Sequence, residues 1–257
     1  MALHTGPPYA EDGSSRGSNM LLWPLLLTAG LSRAPLPTYA LQPAGGFHGN
    51  EPAAHDGETW LALQVEGDDA ALVATRVQVR AVRDELLDEP DQATGREVGS
   101  ALGDKALMFL HGGNLVAGRI ESARVTPAER ESAAPPQYTI GFNGRDYRIS
   151  TACSVSGNTS VEQTQFDCRV MLEDGMQAQR LFDLGGYSPP GSTAVLTVDD
   201  GNAKLIFAGD LDRDGRLDLI FDVSDHYNVS RPTLFLSSQA AAGELVRQVA
   251  QYESVGC

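Results

Sequence analysis

Between two apolar flanks the chain reads Asp210-Leu211-Asp212-Arg213-Asp214-Gly215-Arg216-Leu217-Asp218. Four carboxylates fall at positions one, three, five and nine of this run, and a glycine falls at position six. Alternate residues of a tight loop can turn their side chains to one side, and glycine admits the sharp turn between them. A convergent set of carboxylate oxygens suits a hard cation, and calcium takes about six to eight such ligands. Asp210, Asp212, Asp214 and Asp218 are therefore the candidate side-chain ligands for Ca2+, with the backbone carbonyl of Arg216 at position seven as a further one. An EF-hand loop requires a glutamate at position twelve and a helix on each side. Here position twelve is Phe221, and the flanks Leu205-Ile206-Phe207 and Leu219-Ile220-Phe221 are strand-like. The expectation is a strand–loop–strand site closed by Asp218. Residues 199–225 hold eight aspartates against three basic residues. Their mutual repulsion favours an open loop without a cation, so metal binding is expected to stabilise the local fold.

Other residues that could do chemistry form weaker patterns. Phe109-Leu110-His111-Gly112-Gly113 has the look of an oxyanion-hole segment, but the chain has no G-x-S-x-G elbow to accompany it. Gly186-Tyr187-Ser188-Pro189-Pro190 comes nearest and fails at its last position. The His111-Gly112-Gly113 run is expected to be a turn between strands. Asp225-His226 places an acid beside a histidine near the aspartate loop, but neighbours on a strand point to opposite faces. The five histidines are scattered singly, without the spacing of a zinc site. No catalytic residue is assigned.

The elements that must position the loop are short and alternating, as half-buried strands are. Thr59 to Val65 and Leu72 to Val82 are the first pair, joined at Gly67-Asp68-Asp69; Thr75 to Arg80 alternates strictly. Asp84 to Ser100 is acidic and polar and reads as a loop. Ala106 to Leu110 and Leu115 to Val125 follow as strands. Residues 126–136, with Pro127, Pro135 and Pro136, form either a boundary between two units or a long excursion within one. Asn143-Gly144 is a hairpin signal, because both residues tolerate positive φ. Further strands are expected at 147–155, 166–172, 178–182, 194–198, 204–208, 219–223 and 233–236. Leu245 to Tyr252 has both helical and alternating spacing, and the glycine-containing loop before it favours a strand. The pattern is that of an all-β fold of antiparallel strands, sandwich or barrel-like, with the calcium loop as a hairpin near the C-terminus. The expected organisation is a signal peptide at 1–40, an N-terminal β unit at 41–125, and a C-terminal β unit at 137–257.

The signal peptide rests on the apolar run Leu21 to Leu31 and on Thr38-Tyr39-Ala40, which offers small residues for processing. Met20, just before the run, is an alternative start. That run is too short to span a bilayer, and no other stretch is long and apolar enough. The expected location is secreted or periplasmic. A formal charge of −15 argues against nucleic acid as a partner, since an acidic protein repels a phosphate backbone. Three cysteines fit export: Cys153 and Cys168 flank a candidate hairpin loop and count out to opposite positions. Connectivity does not follow from sequence, so a 153–168 bridge, a bridge to Cys257 and three thiols all remain open.

Phe207-Ala208-Gly209 followed by the aspartate loop and Leu219 resembles the FG-GAP or VCBS-type calcium-binding repeat of integrin-α propeller blades and many secreted bacterial proteins. The resemblance implies the same ligands, Asp210, Asp212, Asp214, Asp218 and the Arg216 carbonyl. Only one copy of the loop is present, whereas a propeller repeats its blade several times, so a single hairpin within another β fold is expected. Together these features suggest an exported calcium-binding protein without catalytic activity. It would be a binding or adhesion-type module for an extracellular protein or glycan. The alternative is a secreted hydrolase of polysaccharide or cell wall with a dispersed active site.

Overall fold

The computed structural model describes residues 38–84, 86–128, 134–159, 163–201 and 203–256. The apolar N-terminal run and Cys257 lie outside the described residues.

The first strands are β1 (Tyr39–Gln42), β2 (Gly45–Phe47), β3 (Thr59–Glu66), β4 (Asp69–Val82), β5 (Gly95–Ser100), β6 (Met108–Gly112), β7 (Gly118–Ser122) and β8 (Arg124–Pro127). After them come β9 (Tyr138–Phe142), β10 (Arg145–Thr159), β11 (Thr164–Glu173), β12 (Ala178–Ser188) and β13 (Leu196–Thr197). The last are β14 (Lys204–Asp210), β15 (Asp218–Asp222), β16 (Val229–Ser230), β17 (Pro232–Leu236), β18 (Arg247–Gln251) and β19 (Ser254–Val255). Short 3-10 turns at Gly103–Lys105 and Val198–Asp200 are the helical pieces among the described residues, and no helix there is long and apolar enough to cross a membrane. The all-β, antiparallel fold expected from the alternation is what forms.

One sheet runs β1-β6-β3-β4-β7-β14-β15-β17-β18, and its two end strands, β1 and β18, come together, so that it nearly closes into a barrel. A second sheet, β13-β12-β11-β10-β9-β8, curves as a half-barrel. Alternate residues on the first sheet's inner face fill the barrel: Leu41, Leu63, Leu72, Leu110, Ile120, Phe207, Ile220 and Leu234 share one core. The outer face of β14, β15 and β17 carries Ala208, Leu219, Phe221 and Phe235, which pack against Ile140, Ile149, Val170 and Leu172 of the second sheet. β15 is thus buried on both faces, which explains the unbroken apolar run Leu219-Ile220-Phe221. Full burial of such side chains contributes about 1.5–3 kcal/mol each.

Four local outcomes differ from the sequence expectations or complete them. The end of the supposed loop at 84–100 forms β5, which pairs with β2 and β4; only Val98 and Gly95 of that strand are buried, so its sequence carries almost no periodic signal. The segment 126–136 connects β8 to β9, which pair with each other, and β14 from beyond it bonds to β7 from before it. The 245–252 segment is a strand, β18 on β17. Cys153 and Cys168 stand directly opposite on β10 and β11 and form a disulfide.

β1 matters for closure. Tyr39 pairs with Gly112 and Ala40 with His111, and Tyr39 is 6% exposed. The two glycines after His111 provide its bed. A Cβ on Gly112 would lie 1.8 Å from the Thr38 carbonyl oxygen, and one on Gly113 would lie 1.9 Å from the Tyr39 ring. The His111-Gly112-Gly113 run therefore has a packing role. Processing after Ala40 would cut β1 in half. A chain beginning at Leu41 loses a buried aromatic ring, a change that costs about 3–5 kcal/mol in well-packed cores. Its melting temperature, followed by circular dichroism, should fall clearly below that of a chain beginning at Arg33; equal values would show that Tyr39 and Ala40 are dispensable.

Candidate metal centre

Asp210 ends β14 and Asp218 begins β15, so the ladder between these strands delivers two carboxylates to one end of the hairpin. The loop between them is anchored on both sides. Leu211 is 0% and Leu217 2% exposed, and each enters a different core. Arg213 has φ +63° and Gly215 φ +79°, the left-handed conformations that turn the chain back. At Arg213 that conformation is held by its guanidinium, which donates from Nε to the Arg119 carbonyl and from Nη2 to the Val116 carbonyl, both at 3.1 Å.

Asp210, Asp212 and Asp218 converge, with one carboxylate oxygen from each lying within 4.8 Å of the others. Asp210 also accepts the amides of Asp214 (3.0 Å) and Gly215 (2.8 Å), which holds the turn. Asp218 is fully buried and accepts the Leu211 amide at 2.8 Å, the Ser237 amide at 2.8 Å and the Ser237 hydroxyl at 3.0 Å. Asp212 accepts the Ser238 hydroxyl on one oxygen, and its Oδ1 is buried without a hydrogen-bond partner. The fourth aspartate, Asp214, stands outside this group. It accepts Arg216 Nε at 2.9 Å, pairs with Arg216 Nη2 at 2.6 Å, and competes with Asp218 for the one proton of the Ser237 hydroxyl. The side chain of Arg216 is thus engaged with Asp214.

Ser237 and Ser238 were not identified from sequence as site residues. They follow β17, which neighbours β15 in the sheet, and so reach Asp218, Asp214 and Asp212 from a third segment. Their signal was two hydroxyl residues directly after the apolar run Leu234-Phe235-Leu236. Asn143, at the β9–β10 turn with φ +47°, donates from its amide to the Gly215 carbonyl at 3.0 Å and ties the second sheet to the loop.

Burial pushes the Asp218 carboxyl up to about 7; the Ser237 amide opposes the shift and the charge on Asp212 adds to it. Burial also raises Asp212, with the Ser238 hydroxyl pulling it down and the charges of Asp214 and Asp210 pushing it up. Crowded carboxylates that resist ionisation, one with a buried oxygen lacking a partner, are the donor set that a cation satisfies. The three converging groups are all carboxylates, so the set fits a hard metal ion.

The other sequence candidates do not join this centre. His111 is exposed and its ring lies 5.1 Å from that of Trp60. His226 approaches Asp199 at 4.0 Å, whereas its neighbour Asp225 pairs with Arg231 at 2.9 Å. A carboxylate–imidazole pair that sequence did not show joins Asp84 to His48 Nδ1. The His48 hydrogen bond, followed by the Leu86 and Leu87 amides, lowers the Asp84 pKa against the opposing effect of burial. The same bonds brace the 84–94 turn, where Asp88 accepts the Asp84 and Thr94 amides at 2.8 and 2.7 Å. Comparison with known proteins gives no matching family model, no similar curated protein and no similar solved structure.

The raised pKa of Asp218 fixes the sign of a pH effect. In the metal-free protein the protonated form contributes stability below the ordinary carboxylate range, and that contribution is lost as pH rises towards 7. A cation needs the ionised carboxylate and must displace this proton. Apparent metal affinity, measured by calorimetric titration, should therefore rise by about tenfold per pH unit between pH 5 and 7 and level off above. A flat profile would show that Asp218 is ionised throughout or takes no part.

Proposed function

We propose that this protein is an exported, non-catalytic binding or adhesion-type module whose Asp210–Asp218 loop holds a structural Ca2+. The observation that carries the reading is the convergence of Asp210, Asp212 and Asp218 at the joined ends of β14 and β15. An all-carboxylate set suits a hard cation, and the loop's resemblance to the FG-GAP or VCBS-type repeat selects calcium among them. In this reading Asp214 and the Arg216 carbonyl, named by that resemblance, complete the coordination or order the loop around it. The staple role follows from position: the hairpin that the ion closes forms the wall between the barrel core and the second core.

Export is supported by the Cys153–Cys168 disulfide, since such bonds persist in oxidising compartments. A partner, an extracellular protein or glycan, has an available surface in a cleft of about 400 Å³ next to the loop. Gly215, Arg216 and Leu217 of the loop line it together with Phe142, Arg145 and Met176. Binding there would depend on an ordered loop.

The hydrolase reading has one observation in its favour, the Asp84–His48 pair bordering a cleft of about 290 Å³ that Glu51, Glu97 and Ser254 also line. The bonds from Leu86 and Leu87 to Asp84 already give that pair a structural role, so the binding module is preferred.

The test is thermal unfolding of chelated protein with and without calcium. At a free calcium concentration about 100 times Kd, one site contributes about 2.7 kcal/mol, or about 5–10 °C in Tm for a chain of this size. Asp212→Ala should abolish that shift. If calcium moves neither protein, the loop does not bind it.

A further inference from the structure

Ser237 and Ser238 lie outside the aspartate loop, yet between them they contact three of its four aspartates. The Ser237 amide donates to Asp218 Oδ1 at 2.8 Å, and the Ser237 hydroxyl lies 3.0 Å from the same oxygen and 3.2 and 3.1 Å from the two oxygens of Asp214. A hydroxyl has one proton to give, so this one serves Asp218 or Asp214 but not both. The Ser238 hydroxyl donates to Asp212 Oδ2, and the other oxygen of Asp212, Oδ1, is buried without a hydrogen-bond partner. Buried polar atoms are nearly always satisfied, so an oxygen held in this way is a ready ligand for a cation. From Ser237 the chain makes two turns, closed by the Ala240 amide on the Ser237 carbonyl at 3.1 Å and by the Glu244 amide on the Ala241 carbonyl at 3.0 Å. The far end is fixed independently: Gln179 of β12 accepts the Leu245 and Val246 amides at 2.6 and 3.1 Å and donates to the Val246 carbonyl at 2.6 Å. The cleft of about 400 Å³ beside the loop is lined from both pieces of chain, by Gly215, Arg216 and Leu217 of the loop and by Glu244, Leu245 and Val246.

Three carboxylates with oxygens within 4.8 Å of one another repel when ionised, and the repulsion works against the neighbours that hold them in place. A bound cation removes that repulsion and fixes the oxygens to which the two serines donate. Donors of this kind, one step removed from the ion, tune affinity through the ligands they orient. We propose that Ser237 and Ser238 are positioning residues of the metal centre, so that occupancy of the aspartate loop orders residues 237–244 and, with the loop itself, both pieces of chain that line the cleft. The inference rests on the loop's binding calcium. It makes the ion a regulator of the cleft as well as a staple of the hairpin, and it enlists a segment that nothing in the loop's own sequence indicates.

The experiment uses the full chain as parent, as the double variant Ser237→Ala/Ser238→Ala, and as Ser224→Ala. The last removes a hydroxyl that donates to Asp222, a buried carboxylate of the same hairpin outside the converging group. Calcium chloride is titrated into chelated protein by calorimetry, and amide hydrogen exchange is followed with and without calcium. The double variant should bind calcium about tenfold more weakly than the parent, the low end for loss of outer-shell partners. Ser224→Ala should bind as the parent does, whatever its melting temperature. Calcium should slow exchange of the Ser237, Ala240 and Glu244 amides in the parent and in Ser224→Ala, and much less in the double variant. The Leu245 and Val246 amides, held by Gln179, are the reference that calcium should not move. Four results would each overturn the proposal while leaving the loop's calcium site standing: unchanged affinity in the double variant, an equal loss in Ser224→Ala, exchange at 237–244 that calcium does not alter, or protection spread equally to Leu245 and Val246. Absence of calcium binding in the parent would overturn both readings. If the double variant fails to fold, exchange in the parent alone decides.

Discussion

Asp218 is a carboxylate with no exposure at the first residue of a strand buried on both faces. A charge in such a place is costly unless it is paired, coordinated or richly hydrogen-bonded. Its bonds go to the Leu211 amide across the loop and to the Ser237 amide and hydroxyl beyond β17. One side chain thereby ties the hairpin's two ends together and fixes where the next strand stops. Removing it would release three segments at once, because the amides it satisfies are themselves buried. The rest of the loop is arranged around this constraint: Asp210 at the opposite strand end holds the turn amides, and Arg213 straps the far side to Val116 in the β6–β7 connection and to Arg119 on β7.

That constraint has wide reach because of where the hairpin sits. β14 and β15 form a wall shared by two cores, with Phe207 and Ile220 facing into the barrel and Ala208, Leu219 and Phe221 facing the second sheet. A slip of one residue in their register would exchange the two faces and unpack both cores together. The loop is the shortest connection in this wall, so ordering it specifies register where an error would be most damaging. The second sheet adds its own check: Asn143, at a turn with two left-handed residues, donates to the Gly215 carbonyl and aligns that sheet's first hairpin with the loop. The disulfide between facing positions of β10 and β11 fixes register within the second sheet in the same sense.

How much of this was legible depended on whether the signal was local. The aspartate spacing, the Asn143-Gly144 turn and the alternation of β3 and β4 are carried by contiguous residues, and the structure has them where the sequence puts them. β5 was missed because a strand with one buried valine, though it lies between β2 and β4, has no period to detect. Ser237 and Ser238 were missed because their partners lie across a strand pairing, and Ser-Ser after an apolar run means nothing until β17 is known to border β15. The 126–136 segment invites division into two units because prolines and charges accumulate there, yet the hydrogen bonds of β7 to β14 run from one side of it to the other. The role of Gly112 and Gly113 was equally hidden, since their need for a missing Cβ comes from Thr38 and Tyr39.

The two sides of the loop divide its labour. Asp210, Asp212 and Asp218 crowd one another, whereas Asp214 holds the guanidinium of Arg216. The crowded set creates a demand for positive charge that no cation among the described residues meets: the loop's two arginines are used elsewhere, Arg213 on backbone carbonyls and Arg216 on Asp214. A chain selected only for a stable hairpin could have placed either arginine against the buried carboxylates, or replaced them by apolar groups at similar volume. Keeping three carboxylates together and both neighbouring arginines away leaves a place that an external cation could fill. The separation between crowded acids and arginines engaged elsewhere is therefore the strongest physical argument for a metal centre, because it is a cost that the fold alone does not require.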